Sequence, residues 1–414
     1  MTAPSRADAE NLDAADPLRG FRDHFVIGAG PGDAVAYLDG NSLGRLPQAT
    51  AERLEQVVRH EWGSRLIRAW DERWLSLPVE VGNLLGEAVL GAAAGQVVVA
   101  DSTSVCLFKA LHAAAALRPH RQVLVALDSD FPTDRYLVEA VSAQRGSTVR
   151  WVSPPSDAGV TADLLAPALD GDVAVVLLSH VDYRSAHLAD MTDITRQVRD
   201  IGAVVVWDLS HSAGSVPVTL DSDGVDLAVG CTYKYLNGGP GSPAYIYVAA
   251  RHHDGLQQPV PGWLGAADVF AMARDFTPAP GIERMLSGTP SLLGLVAVEE
   301  GVRLVAEAGI GAIRAKGVVL TDLVVALADE WLAPLGVTVA SPRDPYGRGA
   351  HLVLRHPDAR GWCERLVAAG VVGDFRNPDL WRVGLSPLTT SYAEVWDAMR
   401  IARGELAALT RAAS

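Results

Sequence analysis

The sequence predicts an α/β fold: a mostly parallel seven-stranded sheet in a large domain, followed by a smaller α+β C-terminal domain. Three observations predict it. Short apolar, β-branched runs alternate with Ala- and Leu-rich segments of helical length between residues 97 and 248. The chain has 414 residues, enough for a large core and two domains. Between Gly255 and Ser291 the composition shifts to Pro, Gly and Trp, as in a long functional connection, and a helical stretch follows.

Taken in order, residues 1–50 form an N-terminal segment expected to pack with the small domain, 51–300 the large domain and 301–414 the small one. The expected strands of the large sheet are VVVA (97–100), VLVAL (123–127), TVRWV (148–152), VAVVLL (173–178), AVVVW (203–207), LAVG (227–230) and AYIYV (244–248). Helices are expected at 104–117, 134–145, 160–169 and 189–201. The Gly/Pro turn between the last two strands is too short for a parallel crossover, so AYIYV should run antiparallel. A helical stretch over 292–332 leads to VTVA, HLVLR, a helix near 358–369 and a terminal helix near 391–409.

Composition excludes several function classes. Lys+Arg 35 against Asp+Glu 49 gives a net charge of −14, which disfavours nucleic acid or an anionic membrane as partner. No apolar run reaches membrane-spanning length. The stretch MTAPSRADAENLDAADP is acidic and lacks a hydrophobic signal core, so a cytoplasmic protein is expected. Three cysteines, Cys106, Cys231 and Cys363, encode neither a disulfide framework nor a CxxC metal site.

In an open parallel sheet ligands sit beyond the carboxyl ends of the strands, so the residues after each run carry the chemistry. They are Asp101-Ser102-Thr103-Ser104, Asp128 to Asp134, Ser179-His180-Val181-Asp182, Asp208-Leu209-Ser210-His211 and Thr232-Tyr233-Lys234. DSTS can cap a helix or hold a phosphate on its free N–H groups. Asp208 ends an apolar run, where a carboxylate caps the following loop or pairs with a protonated ring nitrogen. Lys234, in TYKYLNGGPGSP (232–243), bridges a turn or supplies a desolvated amine for a Schiff base. Each feature alone also has a plain structural explanation. Phosphate hooks, a strand-end Asp, an aromatic ring at Phe131 and a lysine together fit one cofactor, pyridoxal 5'-phosphate.

The chain also resembles the kynureninase family, pyridoxal-phosphate enzymes of the fold-type I, aminotransferase-like class, from near its N-terminus to its last helix. The motifs are YLDGNSLG (37–44), EWG and LIRAW (61–70), FPTD (131–134), WDLSHSAG (207–214), YKYLNGGPG (233–241), GW (262–263), PAPGI (278–282) and VVGDFRNPD (371–379). The resemblance implies that Lys234 is the cofactor lysine and that Asp208 pairs with the ring nitrogen. It implies that Thr103 and Ser104 bind phosphate with Tyr233, that Phe131 stacks on the ring, that Asp134 and Ser179 line it and that His211 lies beside it. Trp263 and Thr289 would reach the phosphate site from a second subunit, which implies a homodimer. Arg382, in LWRVGLSPL, would clamp the substrate α-carboxylate bidentately, with Asn41, Ser42 and Trp62 near the substrate end.

The family reaction is hydrolysis of the Cβ–Cγ bond of L-kynurenine or 3-hydroxy-L-kynurenine, giving (3-hydroxy)anthranilate and L-alanine. Lys234 would move the Cα proton, and Tyr233 would act as acid and base through the phosphate. Five positions depart from the family pattern: Cys106 for Asn, Asp182 for Asn in HVNYRTG, Leu264 and Ala266 within GWFGH, and Thr389 for Tyr. They leave open a homologue acting on a modified kynurenine or another γ-keto amino acid, or a cofactor-binding scaffold without activity.

Three further patterns point elsewhere. Gly40-Asn41-Ser42-Leu43-Gly44 matches the GxSxG of serine hydrolases, but Pro47 follows too soon for a nucleophile elbow. GAGPG (28–32) has the wrong spacing for a dinucleotide fingerprint and precedes a strand. His180, Asp182 and His187 are metal-ligand types, but the better reading of them is as solvated loop residues.

Overall fold

The computed structural model describes residues 4–28 and 33–413. Of the GAGPG stretch, all but its first glycine, Gly28, lies outside the described residues. A short strand β1 (Ala36–Tyr37) comes first. The large sheet contains β2 (Val97–Val99), β3 (Val123–Leu127), β4 (Thr148–Val152), β5 (Val173–Ser179), β6 (Val204–Asp208), β7 (Leu227–Gly230) and β8 (Tyr245–Val248). Their order is β2-β8-β7-β6-β5-β3-β4. Strand β8 runs antiparallel to β2 and β7, as the short turn requires, and the remaining pairs are parallel.

Alternate residues of these strands enter two separate cores, because a strand turns successive side chains to opposite faces. Val125, Val205, Trp207 and Ala228 pack on one face with Leu77 and Val81 of the helix Leu77–Leu85, and with Ile194 and Leu295. Leu124, Val204, Val206 and Val229 pack on the other with Leu107, Leu111, Val138 and Val141 of the helices Thr103–Ala116 and Pro132–Arg145.

The C-terminal sheet has four strands, β9 (Thr338–Val339), β10 (His351–Arg355), β12 (Asp374–Arg376) and β13 (Leu380–Gly384), in the order β12-β13-β10-β9. Strand β11 (Val371–Val372) pairs instead with β1, in parallel. A third core joins Ala9, Ala36 and Leu38 to Leu320, Leu352, Trp362, Trp381 and Val395, so the start of the chain is buried against its end.

Several elements differ from the sequence expectation. The helix expected over 160–169 is only Ala162–Leu165 followed by a turn at Ala166–Ala168, since Pro167 lacks the N–H to continue it. The single stretch expected over 292–332 is two helices, Leu292–Ala308 and Ile310–Leu327, parted at Gly309. Helices Arg6–Ala15, Gln48–Gln56 and Leu77–Leu85 occupy stretches for which the sequence assigns no element. Among the described residues, no helix is long and apolar enough to cross a membrane.

Candidate active site

The carboxyl ends of the parallel strands converge on one cavity. It is lined by Thr103, Ser104, Phe131, Thr133, Asp134, Ser179, Val181, Tyr183, Asp208, Ser210, His211, Tyr233 and Lys234. Asp208 closes β6 directly beside Ser179 of β5, and its carboxylate accepts the Ser210 N–H at 2.6 Å. The helix Thr103–Ala116 starts at the cavity wall. Ser102 caps it through the Val105 N–H, which leaves the Thr103 and Ser104 hydroxyls free of that duty. Behind them the buried Lys109 amine donates to Asp101 at 2.6 Å and to the Met285 carbonyl at 2.8 Å, fixing Asp101 in a left-handed conformation.

Lys234 lies on the loop after β7, and that loop is held from several sides. The Thr232 hydroxyl meets Ser242 at 2.6 Å and the Pro243 carbonyl at 2.7 Å. Gly44 donates its N–H to the Tyr233 carbonyl at 2.7 Å, and Asn237 donates its own to the Lys234 carbonyl at 3.0 Å. Two glycines allow this close approach: a Cβ on Gly44 would collide with the Lys234 carbonyl oxygen, and one on Gly301 with that of Leu236. The lysine is therefore presented from a backbone fixed at both ends.

The site is rich in buried ionisable groups. Burial, reinforced by Asp208 and Asp130, holds Asp134 well above the usual carboxylate range, while Lys234 pulls it the other way. Burial raises the Tyr233 phenol. It also holds the His211 ring well below the ordinary imidazole range, helped by the charges of Lys234 and Arg382, so the ring is neutral. Phe131 lines the cavity, and its ring stands at 88° to that of Tyr183 with centroids 5.4 Å apart.

Arg382, on β13, lies outside that lining and is only 2% exposed. Its Nε donates to Asp374 at 2.7 Å and its Nη2 to the same carboxylate at 2.5 Å. Nη1 donates to the Tyr183 carbonyl at 2.8 Å, and Nη2 also reaches the Ser42 hydroxyl at 3.3 Å. The two-pronged pairing expected toward a substrate is thus made with Asp374, its direct cross-strand partner on β12. Asn41 is fully buried, and with its amide turned it accepts from Arg382 as well. Asn41 and Ser42 therefore gather on Arg382. Among the described residues the Ser42 hydroxyl meets carboxylates and Arg382 but no imidazole, which disposes of the serine-hydrolase pattern.

Trp62, Trp263 and Thr289 stand apart from the cavity, and the two tryptophans are 57% and 37% exposed. None of the five departures lines it either. The Cys106 thiol donates to the Ala100 carbonyl in the core, and Leu264 is buried in the same core. Asp182 takes the Arg184 and Ser185 N–H groups and the Ser185 hydroxyl on one oxygen, a turn that a carboxylate serves as well as an amide. Among the described residues no cluster of three or more metal-ligating side chains forms.

Thr133, Val181 and Ser210 sit in the strand-end segments, yet the sequence alone singles none of them out; Tyr183 lies one residue beyond such a segment and the same rule nearly reaches it. Asp374 and His351 give no such signal, because they belong to the small sheet and approach the site only through the tertiary fold.

The cavity fits pyridoxal phosphate by its donor set: two hydroxyls at a helix N-terminus for a phosphate, a strand-end carboxylate, an aromatic face and one amine. Two of its groups, Asp134 Oδ2 and His211 Nδ1, are buried without a hydrogen-bond partner, as expected of side chains arranged for a bound group.

Comparison with known proteins agrees. Residues 313–402 match the family described as Kynureninase C-terminal domain, and residues 80–333 match Aminotransferase class-V. A protein named Kynureninase from Burkholderia pseudomallei is 43% identical over 408 residues, covering 96% of this chain and 95% of that one. One of the same name from Pseudomonas fluorescens is 42% identical over 404 residues, covering 96% and 94%. Among solved structures, cysteine desulfurase from Thermococcus onnurineus NA1 aligns with a TM-score of 0.78 at 16% identity, over 98% of this chain and 99% of that one. The cysteine desulfurase CsdA from Escherichia coli aligns with a TM-score of 0.79 at 16% identity, over 95% and 98%. At that identity these two establish the fold alone.

Proposed function

The chain belongs to the kynureninase family, and from that premise we propose that it hydrolyses the Cβ–Cγ bond of L-kynurenine or 3-hydroxy-L-kynurenine, using pyridoxal 5'-phosphate. One observation carries the reading: Lys234 shares a cavity with Asp208, the Thr103 and Ser104 hydroxyls and the Phe131 ring.

When bound, pyridoxal phosphate supplies the electron sink that lets the substrate α-carbon give up its proton. The residues do the rest. The Lys234 amine holds the cofactor and moves the proton at the substrate Cα. Asp208, fixed by the Ser210 N–H, would pair with the cofactor's ring nitrogen. Thr103 and Ser104, with Tyr233, receive the phosphate at the helix N-terminus, where backbone N–H groups favour an anion. Phe131 would cover one face of the cofactor ring, Asp134 and Ser179 would line the ring, and His211, itself neutral, would lie beside it. Tyr233 keeps its proton and so serves as acid when water adds to the γ-carbonyl. Arg382 meets the substrate carboxylate by exchanging Asp374 for it, and Arg376, 2.7 Å from Asp374, retains the displaced acid. Asn41 and Ser42 steady Arg382.

We assign residues 1–50 and 301–414 to one small domain and 51–300 to the large one. The active form is a homodimer in which Trp263 and Thr289 serve the partner's phosphate site. The exposure of Ile67, Phe270 and Met272, at 76%, 59% and 74%, supports an apolar face for a second copy. Three free, buried cysteines support a cytoplasmic setting.

The test is alanine release from a panel of γ-aryl-γ-keto amino acids by the cofactor-loaded protein. Equimolar anthranilate and alanine from L-kynurenine are expected. Binding without turnover across the panel would establish a scaffold instead.

A further inference from the structure

His351 is fully buried at the start of β10, opposite Gly384 and two residues along the neighbouring strand from Arg382. Its ring meets His211 edge-on, with centroids 5.2 Å apart and planes at 69°. Nδ1 of His211 has no hydrogen-bond partner, and the His351 ring faces the Tyr183 backbone carbonyl without a well-formed hydrogen bond. Burial, then the charges of Arg382 and Lys234, keep the His351 ring neutral against a weaker pull from the Tyr183 backbone. Burying an imidazole costs desolvation that an aliphatic side chain avoids, so a plain space-filling role would be met better by leucine. The pair also joins two parts of the chain. His211 follows β6 of the large sheet, and His351 and Arg382 sit on adjoining strands of the small one.

We propose that His351 is a positioning residue for the reaction: its ring sets the plane of His211 beside the cofactor and ties that plane to the strand pair that carries Arg382. The polar edge of one imidazole against the π face of the other supplies an orientation that an aliphatic side chain lacks. The proposal rests on the cofactor reading of the cavity. Arg382 governs the carboxylate and His351 acts through His211, so its loss falls on kcat rather than on KM.

The experiment compares His351→Leu and His351→Gln with wild type as holoenzymes. Its readouts are kcat, KM, melting temperature and the visible circular dichroism of the bound cofactor, which reports its asymmetric surroundings. His351→Leu should lose about tenfold to a hundredfold in kcat, the size expected of a misplaced group. KM should stay within about twofold, with an altered visible dichroic band. His351→Gln, which restores a polar edge of similar reach, should recover most of both. A lower melting temperature with kcat and the dichroic band unchanged would overturn the proposal, as would equal losses in the two variants. If His351→Leu does not fold, His351→Asn reads the same quantities. If wild type fails to turn over L-kynurenine, the function falls, yet the dichroic band still decides whether His351 orients the site.

Discussion

Asp130 lies fully buried after β3, its carboxyl pushed up to about 8 by burial and by the charges of Asp182 and Asp208, against a pull from Ser179. Because the folded value is raised, its stability contribution is complete below the unfolded value of about 3.9 and is lost as pH rises through the folded one. Removing the ionisable group removes that loss. With the cofactor stripped, Asp130→Asn should lie close to wild type near pH 4 and exceed it by about 5 kcal/mol at pH 8 in urea unfolding. A constant difference across that range would contradict the assignment. Sequence inspection shows Asp130 only as one acid among several in DSDFPTD, since its burial arises from strands far away in the chain. Asp208 and Lys234 are legible for the opposite reason: each closely follows an apolar strand, where the sheet itself places it at the ligand edge. Arg382 is legible by resemblance, but its capture by Asp374 is not, because that contact depends on cross-strand register.

The lysine loop depends on elements that approach it without side chains. Gly301 belongs to the helix Leu292–Ala308 and packs under the Leu236 carbonyl. Gly301→Ala should therefore lower the melting temperature and weaken cofactor retention on dialysis, because backbone must shift on one side or the other. Unchanged retention in a destabilised protein would mean that the loop is not held by this contact. The seven large-sheet strands are readable within one or two residues, six from the apolar runs that strands buried on both faces allow and β4, the partly exposed TVRWV at the sheet edge, from its β-branched and aromatic residues. The small sheet is harder. Strand β12 is the polar DFR, which lacks any apolar alternation, and the helix Arg6–Ala15 is too polar to announce itself.

At the scale of the whole molecule, one protomer holds Lys234 and Asp208 in its cavity but keeps Trp263 and Thr289 away from it. Two protomers are needed to complete a site under the proposed assembly. Lys234→Ala and a Trp263→Ala, Thr289→Ala double variant, each inactive alone, should regain part of the wild-type rate when unfolded and refolded together. No recovery in mixtures that form heterodimers would show that the sites do not share residues across the interface. The fold class and the run of the chain through the large sheet are readable in the sequence, because hydrophobic periodicity reports burial. The burial of the N-terminus against the last helix is readable only as an expectation of proximity, since few apolar residues mark it.

The central claim is that Lys234 is the amine that bonds the cofactor aldehyde. Borohydride reduction of the holoenzyme followed by peptide mass mapping tests it directly. The account predicts a reduced pyridoxyl phosphate mass on the peptide containing Lys234; that mass on another lysine, or on none, would contradict it.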